Sequence, residues 1–231
     1  MLHNIKELYG NKLAASDGDI GQVEDFYFDD KTWAVRYLVA NTGTWLSERQ
    51  VLLSPHAFNR WDRDNKSLRV NLTRKQIENS PSIELHRPVS RQYEEEYYTY
   101  YGWPAYWDGG GMWGGSEYPI VLPPPTKQEI EAHQHHRRDD KHLRSTHAVT
   151  GYHIQATDGA VGHVTGFMVD DKSWGIRELV VESGHWYSGK EILISPSKIE
   201  RISYDESKVF VNLTKADIQH TTENDVVKAG A

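Results

Sequence analysis

The sequence predicts a mostly β protein. It reads as two small six-stranded β-barrels, each followed by a short helix, joined by a partly helical linker rich in aromatic, proline and histidine residues. Three observations predict this. Residues 16–77 align without a gap on residues 157–218, an offset of 141, with 25 identities in 62 positions. Each copy reads as short β-branched and aromatic runs separated by turn residues. Six short strands in about 75 residues cannot bury one face as an open sheet, whereas a small barrel buries it and removes the edges. A sandwich is the alternative. The repeat places a first barrel at 1–80, a linker at 81–142, a second barrel at 143–222 and a disordered tail at 223–231.

The elements of each copy follow in order. Asp17-Gly18 and Asp158-Gly159 are Asp-Gly steps between extended runs, the signal of a tight hairpin. The apolar spacing Val23, Phe26, Phe28 slips out of a period of two, which predicts a β-bulge near Asp25; Gly166 stands at the matching position. Asp29–Thr32 and Asp170–Ser173 make the next turn, and strands are expected at Trp33–Ala40 and Trp174–Val181. Val51–Leu53 and Ile192–Ile194 each run into Ser-Pro, where the missing proline N–H stops the ladder. Phe58–Asp62 and Ser67–Asn71 form the last pair. Thr73 with Gln76 is a capping box opening a short helix, and Thr214 with Asp217 is its weaker counterpart.

Composition removes several classes. Cysteine is absent, so disulfides, thiolate metal sites and cysteine nucleophiles are excluded. No apolar run approaches the roughly 20 residues of a membrane-spanning helix, and Met1–Gly10 lacks the basic-then-apolar pattern of a secretory signal. The net charge is -7 with no basic segment, which argues against nucleic acid and against an anionic membrane surface as partners. No phosphate-binding glycine loop, nucleophile elbow or His-Glu-x-x-His zinc motif is present. The pairs Asp29-Asp30 and Asp170-Asp171 read as turn residues rather than an acid–base pair. Arg36 and Arg177 recur in an otherwise apolar strand and are expected to pair with Asp30 and Asp171. Trp33, Trp174, Trp45 and Trp186 also recur and read as core or as plugs at a barrel end.

At these residues the chain resembles the PRC-barrel family. The resemblance is carried by Asp17-Gly18-x-Ile20-Gly21, Asp29-Asp30-x-x-Trp33, Gly43-x-Trp45-x-Ser47 and Leu52-x-Ser54-Pro55, with their second-copy counterparts. That family includes the barrel of the photosynthetic reaction centre H subunit and the C-terminal domain of a ribosome maturation factor. Asn79-Ser80-Pro81, Pro88–Tyr93 and Gly102-Trp103-Pro104 are similar to a stand-alone two-barrel bacterial subgroup. The resemblance implies six-stranded barrels, no catalytic centre, no cofactor and docking onto other proteins, in the reaction-centre case at a membrane electron-transfer complex. Neither the H subunit's membrane helix nor the ribosome factor's RNA-associated domain has a counterpart here.

The linker holds the candidate site residues. Val89–Tyr101 reads as a helix capped by Ser90 and ended by Gly102, with Tyr93, Tyr97 and Tyr101 on one face. These three, with Trp103 and Trp107, are either core against a barrel or anchors of a partner-binding or self-association face. Pro123–Pro125 reads as a stiff spacer. Thr126–Leu143 reads as a polar helix, in which His133, His135 and His136 stand four residues from acids; this spacing suits a solvated helix and also a divalent metal. The expected protein is therefore a non-catalytic scaffold with a protein partner, self-association included. It would be cytoplasmic, or peripheral to the inner membrane if the partner is a membrane complex. The alternative is a metal- or small-ligand-binding protein using the histidine-rich linker or a barrel cavity.

Overall fold

The computed structural model describes residues 1–46, 49–81, 91–107, 109–120, 143–184 and 189–219. Strands β1 (Leu2–Asn4), β2 (Lys12–Ala15), β3 (Gly18–Asp29), β4 (Ala34–Asn41), β5 (Gln50–Leu53), β6 (Phe58–Asp62) and β7 (Ser67–Val70) precede the linker. After it come β8 (Leu143–Ser145), β9 (His153–Ala156), β10 (Gly159–Asp170), β11 (Ile176–Ser183), β12 (Glu191–Ile194), β13 (Ile199–Ser203) and β14 (Lys208–Val211). The helices include α1 (Arg74–Glu78), α2 (Arg91–Tyr101) and α3 (Thr146–Val149), and residues 215–219 are helical as well. No helix among the described residues is long and apolar enough to cross a membrane.

Two compact units are formed, and each borrows a short segment from the other repeat. The first unit comprises the described residues of Glu7–Leu143 with Lys172–Trp174; the second comprises those of Met1–Lys6, Arg144–Asp171 and Gly175–Ala231. The first unit carries the strand path β5-β4-β3-β2-β7-β6. The second carries β12-β11-β10-β9-β14-β13, with β1 added on β10. Neighbours are antiparallel except β2 with β7 and β9 with β14, which are parallel. Residues 1–6 carry none of the repeat's motifs, and their strand was not expected from the sequence.

Among the described residues the expected ring of six strands is not closed by hydrogen bonds: each path ends, at β5 and β6 or at β12 and β13, with no ladder between the ends. The Ser-Pro step explains this. Ser54 caps a 3-10 turn at Pro55–Ala57, its side chain accepting from His56 N–H. Ala57 N donates to Ser54 O and Asn71 N donates to Ala57 O, so a turn rather than a strand pair bridges the corner. Proline at the first position of that turn has no N–H to give a ladder.

The local expectations are met at the hairpins, bulges and caps. Ala15 pairs with Gly18 across the first hairpin, and the β3–β4 register shifts between Val23 and Asp25. The matching shift in the second unit lies between Val164 and Gly166. Thr73 and Gln76 form the full capping box, and Thr214 with Asp217 makes the same reciprocal pair of bonds. Gly21 stands at φ +133, and a Cβ there would collide with Asn41 O. Gly21→Ala should cost the first unit more than about 3 kcal/mol, read as a shift in urea midpoint, because it adds backbone strain to a backbone clash.

The strand starts need correction. Trp33 and Trp174 do not begin strands; both take left-handed backbone, at φ 58 and 54. The Asp29 carboxylate accepts Lys31 N and Thr32 N, and Trp33 N bonds Asp29 O. This tight turn puts its last residue in the left-handed region before β4 begins at Ala34. The strain, of order 1–3 kcal/mol, is offset by burial of both indoles, which are 9% and 6% exposed. Trp174 packs in the first unit against Phe58 at 4.6 Å and Phe26 at 6.2 Å, and its carbonyl accepts Val35 N.

Candidate functional site

The described residues from α2 to Gly115 form an arm packed against β4 and β5 in the first unit. Gly102, at φ 68, ends α2, and Trp103 N returns to Tyr98 O. The strand β5 lies at the end of its sheet path, where backbone groups lack a ladder partner. Tyr97 supplies one from the arm: its hydroxyl donates to Leu52 O at 2.9 Å and accepts from Ser54 N at 3.0 Å. The neighbouring strand β4 is buried at every position from Ala34 to Ala40. A strand buried on both faces needs cover on both, and the arm is the cover on one of them.

Three polar groups are locked between the arm and the sheet, Glu94 from the arm itself and Arg36 and His56 from beneath it. Glu94 is fully buried, and its Oε1 accepts from Tyr37 at 2.7 Å and Tyr106 at 2.8 Å. Arg36 is also fully buried. Its guanidinium donates to Met112 O at 2.6 Å and to Thr32 Oγ1 at 2.8 Å, and lies 3.7 Å from the Tyr106 ring centroid and 4.9 Å from that of Trp113. Its acid is Asp29 at 3.5 Å, not Asp30 as the sequence suggested. The register brings the two together: Asp29 pairs with Ala34, and the ladder slips at Arg36, between the Phe28–Val35 and Tyr27–Tyr37 pairs. Trp113 also donates from Nε1 to Ser173 O at 2.8 Å within the same unit.

His56 is the third. Its ring stacks on Trp103 at 5.5 Å and meets Trp113 and Tyr98 edge-on at 5.0 and 5.8 Å. Nδ1 lies 3.0 Å from Ser54 Oγ, and Nε2 has no partner. Burial, helped by the Arg36 charge, lowers its pKa from 6.5 to about 4, so the ring is neutral at physiological pH. Burial likewise pushes Tyr101 up to about 12 and holds Tyr37, Tyr97 and Tyr98 well above the ordinary phenol value.

Each candidate residue with a described position falls in this arm. Tyr97 and Trp103 are buried; Tyr93, Tyr101 and Trp107 are half-buried. Tyr93 stacks on Tyr97, Tyr101 on Trp103 at 4.4 Å, and Trp107 meets Tyr98 at 5.4 Å. His133, His135 and His136 lie outside the described residues. The sequence reading passed over Glu94, Tyr98, Tyr106 and Trp113 in the arm, and Tyr37 and His56 beneath it. A signal for the last two was present: the second copy has Glu178 and Ser197 at their positions.

Those replacements mark where the repeats part. In the second unit, Arg177 and Glu182 on β11 and Glu191 and Leu193 on β12 are exposed, Leu193 by 39%. Leu193 stands at the position of Leu52, which is 1% exposed. Glu182 pairs directly with Glu191 across the ladder, where the first unit pairs Asn41 with Gln50. Like charges placed opposite each other weaken a sheet.

A duplicated small β unit with a family-type hairpin, turn and Ser-Pro corner defines the class. The family model for the PRC-barrel domain matches residues 2–77 and 147–218, more than half of the chain, and the protein belongs to that family. Comparison with curated proteins gives no match.

Proposed function

We propose that this protein is a non-catalytic interaction module with two six-stranded PRC barrels, one closed over by its own aromatic arm and the other taking a protein partner on the corresponding face. The carrying observation is the difference between equivalent positions: Leu52 is covered and Leu193 is exposed. The second face also keeps a like-charged pair, Glu182 opposite Glu191, an arrangement that weakens a sheet. The non-catalytic part of the reading is supported by where the most perturbed groups lie. Tyr97 and Tyr98 of the arm, and Tyr37 and His56 beneath it, are all buried in its contact with the sheet. The family likeness makes a membrane-bound electron-transfer complex one class of partner to examine.

The test is a photo-crosslinking residue placed at Leu193 in the full chain, expressed in source cells, with Tyr204 as an exposed control position. One recurrent adduct from Leu193 that is absent from Tyr204, and lost with Glu191→Lys, is the expected outcome; its mass separates a foreign protein from a second copy. Equal labelling from both positions, or none from Leu193, would contradict the reading.

A further inference from the structure

A cleft of about 390 Å³ opens in the first unit where the Ser-Pro corner, α1 and the end of the arm meet. This lies within the roughly 300–1,000 Å³ range of small-molecule sites. Its lining includes His56, Asn71, Gln76, Tyr100, Tyr101 and Trp103. No lysine, arginine, aspartate or glutamate lines it. A charged ligand would lose its water there without gaining a counter-charge.

The polar groups have capacity left over. His56 lines the cleft with its ring, which is 5% exposed, while its Nε2 is closed off from solvent and offers the cleft no bond. Asn71 Oδ1 accepts from Asn59, and Gln76 Oε1 accepts from Thr73, so their amide NH2 groups are the donors that remain. The Tyr100 hydroxyl donates to Gln76 O, which leaves its oxygen as an acceptor. Trp103 stacks on both His56 and Tyr101, so its indole is engaged within the wall. A ligand bearing hydroxyls around a saturated ring meets both donors and an acceptor there. The second repeat does not rebuild the site, since Ser197, Lys198 and Asp217 stand where the first has His56, Ala57 and Gln76.

We propose that this cleft binds a small, uncharged, hydroxyl-rich molecule of monosaccharide or cyclitol size, held by the Asn71 and Gln76 amides and the Tyr100 hydroxyl, with the His56 ring in the wall beneath it. The site is independent of the docking face on the second unit. Ordinary ligand efficiency over about a dozen heavy atoms corresponds to a millimolar dissociation constant.

The test titrates D-glucose and myo-inositol into the full-length protein while NMR follows the histidine ring and side-chain amide signals. Saturable shifts of His56, Asn71 and Gln76 with at least one of the two are expected. D-gluconate and protonated D-glucosamine should bind at least about tenfold more weakly. Asn71→Ala and Tyr100→Ala alter exposed side chains outside the core, and each should weaken binding while the His56 signal of the ligand-free protein stays in place. The proposal is overturned if neither polyol saturates, if the charged analogues bind equally well, or if both variants bind like the parent.

Discussion

Arg36→Ala should destabilise the first unit by about 3–5 kcal/mol, among the largest effects of any single substitution in the chain. The substitution removes the cation from Asp29, itself only 6% exposed, and so leaves a buried carboxylate without its partner. It also empties the space between Tyr106 and Trp113 and strips Met112 O of its donor. The arm should loosen with it. Arg177→Ala in the second repeat is the internal control: the same strand position is exposed there, so the change should stay within about 0.5 kcal/mol. Urea titrations of both variants, followed by tryptophan fluorescence, make the comparison. Equal effects would mean that the arm does not bury Arg36.

Acid should unfold the first unit through His56. In the folded protein this ring titrates at about 4, against 6.5 without the fold. Between those values the unfolded chain takes up a proton that the folded chain refuses, so stability falls as pH falls. The contribution is fully present above about pH 6.5, is lost on the way down to about pH 4, and amounts to roughly 3 kcal/mol. His56→Leu removes the titrating ring and should flatten this part of the stability–pH curve, whatever its effect at neutral pH. The quantity to measure is the difference between the two curves over pH 4–7; parallel curves would show that His56 is not held neutral by burial.

The parts of this structure legible in the sequence are those set by local chemistry. Asp17-Gly18 makes its hairpin, Asp25 its bulge, and Thr73 with Gln76 its capping box because each rests on residues a few positions apart. The family likeness was legible for the same reason. What failed was long-range. Arg36 found Asp29 rather than Asp30 because strand register, not sequence proximity, decided the pair. The tyrosine face of α2 was visible as Tyr93, Tyr97 and Tyr101, but Glu94 and Tyr98 on the same helix read as ordinary helix residues. Only the fold brings Glu94 to Tyr37, 57 positions away. The exchange of Met1–Lys6 and Lys172–Trp174 between units has no local signal either: Leu2–Asn4 is too short a strand to announce itself, and Trp174 looks identical to Trp33 in sequence.

The central claim is that two equivalent sheet faces differ in cover, and hydrogen exchange of the free full-length protein tests it most directly. Peptides spanning β5 (Gln50–Leu53) and β12 (Glu191–Ile194) occupy matching places at the ends of their sheet paths. With the arm covering β5 and Tyr97 accepting from Ser54 N, a Gln50–Ser54 peptide should exchange at least about tenfold more slowly than its Glu191–Ser195 counterpart. Equal exchange at the two strands, or faster exchange at β5, would contradict the account.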